Sequence, residues 1–335
     1  MSILINENTK VLIQGITGKE GKKAAAAMLD YGTNVVGGVR PGKGGEEVQE
    51  KPVFNTVAEA VTVISSERSE SRDFEKETIA DNPRDPSTMA LLRSASARDD
   101  VLKNIVTTIY VPPFAAKAAI TEAIDAGITQ INTIVERIPI KDTAYCLAAA
   151  KERGATIIGP SSLGYINPGV GRIGVVGGPK AQADEIYTPG SIGIISRSGG
   201  MTNEISWQIR KAGMGQSAAV HVGGDLLMGT TYADLLRLFE KDDQTKAVVV
   251  FGEHGGSYEF EIVEMIEAGE FTKPLVIYVG GKFANTLPEG MNIGHAGAIV
   301  ERGKGAVEKE AALMSVGAHI ADDYEQLAEL VKPFL

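Results

Sequence analysis

Val11-Leu12-Ile13-Gln14 runs directly into Gly15-Ile16-Thr17-Gly18-Lys19-Glu20-Gly21, after which Lys22 to Tyr31 reads as a helix and Asn34 to Val39 as a second strand. Strand, glycine-rich turn, helix and strand make a βαβ start, the unit from which parallel sheets are wound. Further β-branched runs at Ile105 to Val111, Thr129 to Val135 and Thr156 to Ile158 alternate with helical stretches Ala115 to Ala126 and Asp142 to Gly154. This pattern predicts a doubly wound sheet. A second series follows Pro189-Gly190, with strands near Ser191 to Ile195, Ser217 to Val222, Ala247 to Phe251 and Leu275 to Val279 and helices near 201–212, 230–240 and 257–268. The expected fold is α/β in two domains, residues 1–158 and 159–335, divided near Gly159-Pro160-Ser161-Ser162 and followed by a Gly- and Pro-containing connection.

A chain of 335 residues is long enough for two separate cores. Its 33 Lys and Arg against 43 Asp and Glu leave a formal charge of −10. Nucleic acid and anionic membranes are therefore disfavoured as partners, and an anionic ligand has to be held locally. Cys146 is the single cysteine, which excludes a disulfide framework, a Cys-rich zinc site and an iron-sulfur cluster; in its helical stretch it reads as packing. No apolar run reaches the roughly eighteen residues of a membrane span, and Met1 to Lys10 does not read as a signal peptide, so a soluble cytoplasmic protein is expected. From about Ser65 to Asp100 the composition turns to Ser and interspersed charge, which reads as a solvated insertion with a short helix around Ser87 to Ala95.

The 39 glycines exceed one residue in nine and cluster after strand candidates, where backbone N–H groups can cradle a phosphate. Gly15 to Gly21 is one such loop. The second strand ends in Gly37-Gly38-Val39-Arg40-Pro41-Gly42-Lys43-Gly44-Gly45, with no acidic residue for a ribose hydroxyl, which argues against NAD; Lys43 reads as a phosphate contact or as a solvated turn residue. Tyr110-Val111-Pro112-Pro113-Phe114 offers a rigid apolar edge, and Ile134-Val135-Glu136-Arg137 brings out a carboxylate or a surface ion pair. In the second series, Ser196-Arg197-Ser198-Gly199-Gly200-Met201-Thr202-Asn203 follows a strand and opens a helix, a second anion-binding terminus. Gly223-Gly224-Asp225 and Gly252-Glu253-His254-Gly255-Gly256 end the next two strands, and Gly294-His295-Ala296-Gly297-Ala298 lies beyond another. His295 reads either as a loop residue bonded to backbone or as a group that takes up a phosphoryl. His221 and His319 read as structural and His254 as an exposed residue beside Glu253. No His or carboxylate pair has ligand spacing, so no metal site is expected.

Taken together these motifs resemble the alpha subunit of succinyl-CoA synthetase and the matching part of ATP-citrate lyase and citryl-CoA synthetase. The likeness covers nearly the whole chain, through Asn8-Thr9-Lys10-Val11, Gln14 to Gly18, Tyr31-Gly32-Thr33, Val36 to Val39, Pro41 to Gly45, Pro52-Val53-Phe54, Tyr110-Val111-Pro112, Gly159-Pro160, Ser196 to Gly199, Gly252-Glu253 and Gly294 to Ala298. The resemblance implies an N-terminal Rossmann-like CoA-binding domain, a C-terminal flavodoxin-like ligase domain, and an ATP-grasp beta subunit holding ATP and Mg2+. It assigns the phosphohistidine to His295 and its orientation to Glu253. The phosphoryl passes from His295 to the acid, and the CoA thiol then displaces phosphate. The resemblance also places CoA against Thr17, Gly18, Lys19, Glu20, Val39, Pro41, Lys43, Tyr110, Val111, Pro112, Ile134, Val135, Glu136, Ser161 and Ser162. The helix opening Ser198, Gly199, Gly200 and Met201 holds the phosphoryl charge. Two departures bear on substrate: Ser161-Ser162-Leu163 replaces Asn-Cys-Pro, and Asn203 stands where succinate-using members carry a Tyr. The Gly-Gly-Met-Thr-Asn run looks like the citrate-using members, and a smaller amide makes room for a bulkier acid. The expectation is a citrate–CoA ligase small subunit, with succinate or malate as rival acids. A CoA-binding protein without phosphoryl transfer is the rival of another class.

Overall fold

The computed structural model describes residues 3–70 and 102–335, and these form two seven-stranded sheets. The first is built from β1 (Lys10–Gln14), β2 (Val35–Val39), β3 (Glu47–Val48), β4 (Lys51–Phe54), β5 (Ile105–Ile109), β6 (Gln130–Thr133) and β7 (Thr156–Ile158), in the order β3-β4-β2-β1-β5-β6-β7. All neighbours run parallel except the β3–β4 hairpin. Helices α1 (Lys19–Asp30), α2 (Val57–Glu70), α3 (Pro113–Asp125) and α4 (Ile140–Glu152) connect them. Val11, Leu12 and Ile13 are wholly buried, as a parallel strand covered on both faces requires. The chain leaves β1 in one direction for β2 and β4 and in the other for β5, so the switch point lies between β1 and β5.

The second sheet takes β8 (Gly164–Asn167), β9 (Gly171–Gly174), β10 (Pro189–Ser196), β11 (Gln216–His221), β12 (Ala247–Glu253), β13 (Leu275–Gly280) and β14 (His319–Ile320), in the order β14-β13-β12-β10-β11-β8-β9. Helices α5 (Lys180–Ile186), α6 (Gly199–Lys211), α7 (Tyr232–Glu240), α8 (Tyr258–Glu267), α9 (Ala306–Ser315) and α10 (Leu327–Val331) accompany it. Its switch point falls between β10 and β12, where Ser196 pairs with Phe251 and β12 runs two residues further to Glu253.

Three features differ from the sequence expectation. Helix α1 begins at Lys19, not Lys22, because Gly21 enters the first turn, where an added Cβ would lie 2.3 Å from the Gly15 carbonyl oxygen. The expected connection after Gly159 instead contains the antiparallel β8–β9 hairpin, whose Tyr165, Ile166 and Ile173 are fully buried. Its Arg172 ties the two sheets together: wholly buried, it donates to Ala27 O on α1 at 2.5 Å and to Gly178 O at 2.6 Å, and its backbone brackets the Thr33 hydroxyl. Residues 65–70 of the expected insertion complete α2, while the rest of it, including the helix read around Ser87 to Ala95, lies outside the described residues. Among the described residues no helix is long and apolar enough to cross a membrane.

Candidate active site at two facing sheet edges

The first edge is a set of loops brought level by strand register. Gln14 pairs with Val39 and Ile109, and Ile109 with Thr133, so the loops after β1, β2, β5 and β6 emerge together. Gly15 adopts φ +81° with the Tyr110 carbonyl oxygen 2.3 Å from where a Cβ would be, so only glycine fits. Helix α1 is capped by Gly18 with no side-chain acceptor, which leaves its first N–H groups to an anion. Gly18, Lys19 and Glu20 are exposed there and Thr17 half-buried. After β2, Asn55 Oδ1 accepts from Gly42 N and Gly44 N, both at 3.0 Å, and shapes the loop carrying exposed Pro41 and Lys43. Lys43 pairs with Glu46 at 2.6 Å. Val39 and Val135 are buried walls, Tyr110, Val111 and Ile134 half-buried, and Pro112 exposed. Glu136 accepts from the Ser161 hydroxyl at 3.3 Å.

The second edge is organised around His295, in the long loop between β13 and α9. Asn292 braces that loop, its amide donating to His295 O at 2.7 Å while its Oδ1 accepts from Gly294 N at 3.1 Å. The His295 ring lies flat against Gly224, where an added Cβ would come 2.6 Å from Cγ. Nδ1 meets Glu253 Oε1 at 2.7 Å. A carboxylate only accepts, so the bond puts the proton on Nδ1 and leaves the lone pair on Nε2. That bond holds the imidazole pKa above its usual value, against the opposing effect of burial. The side chain is 40% exposed, open enough to be reached.

Arg197 is the residue that sequence reasoning passed over. Its side chain is 1% exposed, its Nη2 donates to Asp225 O at 2.9 Å, and its Nε lies 3.9 Å from Glu253 Oε2. Nε and Nη1 have no hydrogen-bond partner, and Nη2 sits against Gly297 of the His295 loop. A buried cation with idle donors beside an imidazole is suited to an anion. The sequence signal was present in Ser196-Arg197-Ser198, a charge between two small polar residues at a strand end. Ser198 caps α6, its Oγ accepting from Met201 N at 3.3 Å, and Gly199 and Gly200 open the helix beyond it.

The structure gives several of these residues partners that the sequence does not show. Ser162, expected at CoA, is wholly buried: its hydroxyl donates to His221 O and accepts from Asn132 Nδ2 and Gly164 N, so it bridges the two sheets. Asn203, expected at the acid, spends Oδ1 on Gly177 N at 3.0 Å and the Tyr187 hydroxyl at 2.7 Å. It fastens α6 to the loop after β9. His254, expected to be exposed, is 2% exposed and neither ring nitrogen has a partner. His221 accepts from Leu163 N at 2.8 Å and bonds Arg197 O at 2.8 Å, and burial pushes its pKa down to about 4. It is a neutral bracket under Arg197.

The two edges face each other. Gly229 N donates to Gly159 O at 2.9 Å, Gly223 lies so close to Pro160 that a Cβ would be 2.0 Å from its oxygen, and the charge of Glu136 helps to raise the pKa of His295. A loop on the first sheet and the imidazole on the second thus lie close together. Such an arrangement can bring a molecule anchored on one sheet to a group transferred on the other.

Two family models match separate parts of the chain. Residues 6–70 match the CoA binding domain family model and residues 195–318 the CoA-ligase model. The chain is 42% identical to succinate–CoA ligase [ADP-forming] subunit alpha 2 of Archaeoglobus fulgidus, with 100% of each chain covered. It is 38% identical to the ADP-forming sulfoacetate-CoA ligase subunit SauD of Bilophila wadsworthia, again over 100% of both. The structure of Methanosaeta concilii ATP citrate lyase superposes with a TM-score of 0.81 at 23% identity, covering 99% of this chain and 50% of that longer one, a likeness of fold. Full-length identity at this level, with both domain models in order, shows that the chain belongs to the alpha-subunit family of the ADP-forming acid–CoA ligases.

Proposed function

We propose that this chain is the CoA-binding, phosphohistidine-carrying subunit of an ATP-dependent acid–CoA ligase that works with an ATP-grasp beta subunit. The observation that carries the reading is the 2.7 Å bond from His295 Nδ1 to Glu253, which leaves Nε2 free in an accessible ring beside the buried Arg197. In the first step Nε2 forms a bond to the γ-phosphorus of ATP on the partner and ADP leaves. A carboxylate oxygen of the acid then takes the phosphoryl as the N–P bond breaks, and the CoA sulfur attacks the resulting acyl phosphate, releasing phosphate. Glu253 compensates the charge that develops on the imidazole. Arg197 and the opening of α6 at Ser198, Gly199, Gly200 and Met201 face the phosphoryl charge. CoA lies along the first edge, its phosphates at the start of α1 and near Lys43 and its thiol end directed toward Glu136. Ser162 is left out of this site.

The acid is read as citrate, because the first turns of α6 present Asn203 where succinate-using members carry a phenol. With its oxygen held by Tyr187 and Gly177, Asn203 acts by leaving space and through its NH2 group. Succinate or sulfoacetate is the second reading, supported by the full-length relatives that bear those names. A thiokinase assay with the reconstituted beta partner separates them. Citrate is expected to show the highest kcat/KM among citrate, succinate, malate and sulfoacetate, and higher turnover of any other acid overturns the citrate reading. Failure of ATP and partner to label His295 overturns the ligase reading itself.

A further inference from the structure

Two buried charges, Lys309 on α9 and Glu259 on α8, have no place in the chemistry above, yet both reach the end of β12. Each is almost wholly enclosed, at 0% and 1% exposure. The Lys309 ammonium donates to Glu253 O at 2.7 Å, to Gly255 O at 2.6 Å and to Glu259 Oε2. Three partners saturate its three N–H groups. Glu259 Oε1 accepts from Glu253 N at 3.0 Å and packs so closely on Gly252 that a Cβ there would be 2.9 Å away. Thus the backbone of Glu253 is gripped from both sides, at the point where the sheet ladder ends with the Glu253–Gly280 pair. Isolated buried ions are costly, and a pair is often no better for stability than an apolar replacement. A positioning role accounts for such a pair.

We infer that the Lys309–Glu259 pair is a positioning device for Glu253, fixing its carboxylate against His295 Nδ1 and thereby setting the basicity of the phosphoryl-accepting imidazole. This rests on the function proposed above. The device is one hydrogen bond removed from the reacting ring, so both residues are positioning residues and touch no substrate.

The test measures the His295 titration by NMR, tractable in a chain with only four histidines, together with the rate of acid-labile labelling by ATP and partner and with CoA affinity. In Lys309→Met, removal of a nearby positive charge by itself raises the His295 pKa, whereas release of Glu253 lowers it. The expected result is a lowered pKa and a labelling rate down about tenfold or more, with CoA affinity within about twofold of wild type. Because a lone Glu259 destabilises the single variant, the double variant Lys309→Met/Glu259→Gln, which removes both charges, is measured beside it. It is expected to fold, bind CoA as wild type does and show the same slow labelling. A His295 pKa that stays or rises in Lys309→Met, or wild-type labelling in the folded double variant, overturns the inference. Wild-type protein that does not label on His295 overturns the ligase reading instead, so the two failures are distinct.

Discussion

In the proposed reaction the two sheet edges hold negative charge by opposite means. On the first, the anion site is backbone: the uncapped start of α1, the glycine turn before it, and an exposed Lys43 already paired with Glu46. On the second it is side chain: Arg197, Glu253, Lys309 and Glu259 are all nearly buried around one half-open imidazole. Peptide dipoles need no desolvated ion, tolerate substitution at neighbouring exposed positions, and suit a ligand that binds and leaves unchanged. Buried charges are costly to install but act at full strength where charge develops in a reaction. The difference separates holding from transfer.

Substitutions should therefore weigh very differently at the two edges. The largest effect is expected for His295→Ala, which should cut phosphate labelling on the order of a thousandfold or more while leaving CoA affinity, measured by calorimetry, unchanged. Next is Arg197→Met. Loss of the buried guanidinium beside the Glu253 carboxylate should slow labelling by about a hundredfold, and an effect under about threefold would show that the second edge does not depend on buried charge.

The Glu253–His295 bond also predicts a pH signature. In the proposed reaction the nucleophile is the neutral imidazole, and its pKa is raised by Glu253, so the labelling rate should fall with decreasing pH through a value above the ordinary 6.5 or so. Glu253→Gln should move that acid limb to lower pH by about one unit, and an unmoved limb would detach Glu253 from His295. The sign for folding follows from the same shift. Because the folded-state pKa is raised, the bond's contribution to stability is complete below the unfolded value and disappears as pH rises through the folded one.

The smallest effect is expected at the first edge. Lys43 is half exposed and its pairing is solvent-screened, so Lys43→Ala should raise the KM for CoA by about fivefold with kcat unchanged, and the difference should shrink at high salt. A loss as large as that of Arg197→Met would erase the contrast between the edges.

How much of this was readable beforehand follows from the range of the signals involved. The β1–Gly15–α1 unit, the parallel strands and the switch-point loops are local patterns of periodicity and turn residues, and they appear where the residues place them. So do the glycine-rich runs around Glu253 and His295. The exposure and partners of Ser162, Asn203 and His254 were not legible because they depend on segments far along the chain: on Asn132 and His221 for the first, on Gly177 and Tyr187 for the second.

By itself the sequence determined two α/β units, their family and the chemical types at each strand end, since adjacent residues dictate strand, turn and helix. Only the tertiary structure decided that His295 meets Glu253, that Arg197 is buried with idle donors, and that Lys309 and Glu259 grip one backbone turn. These contacts join residues up to 56 positions apart through strand order and loop packing, and no periodicity records which buried charge faces which.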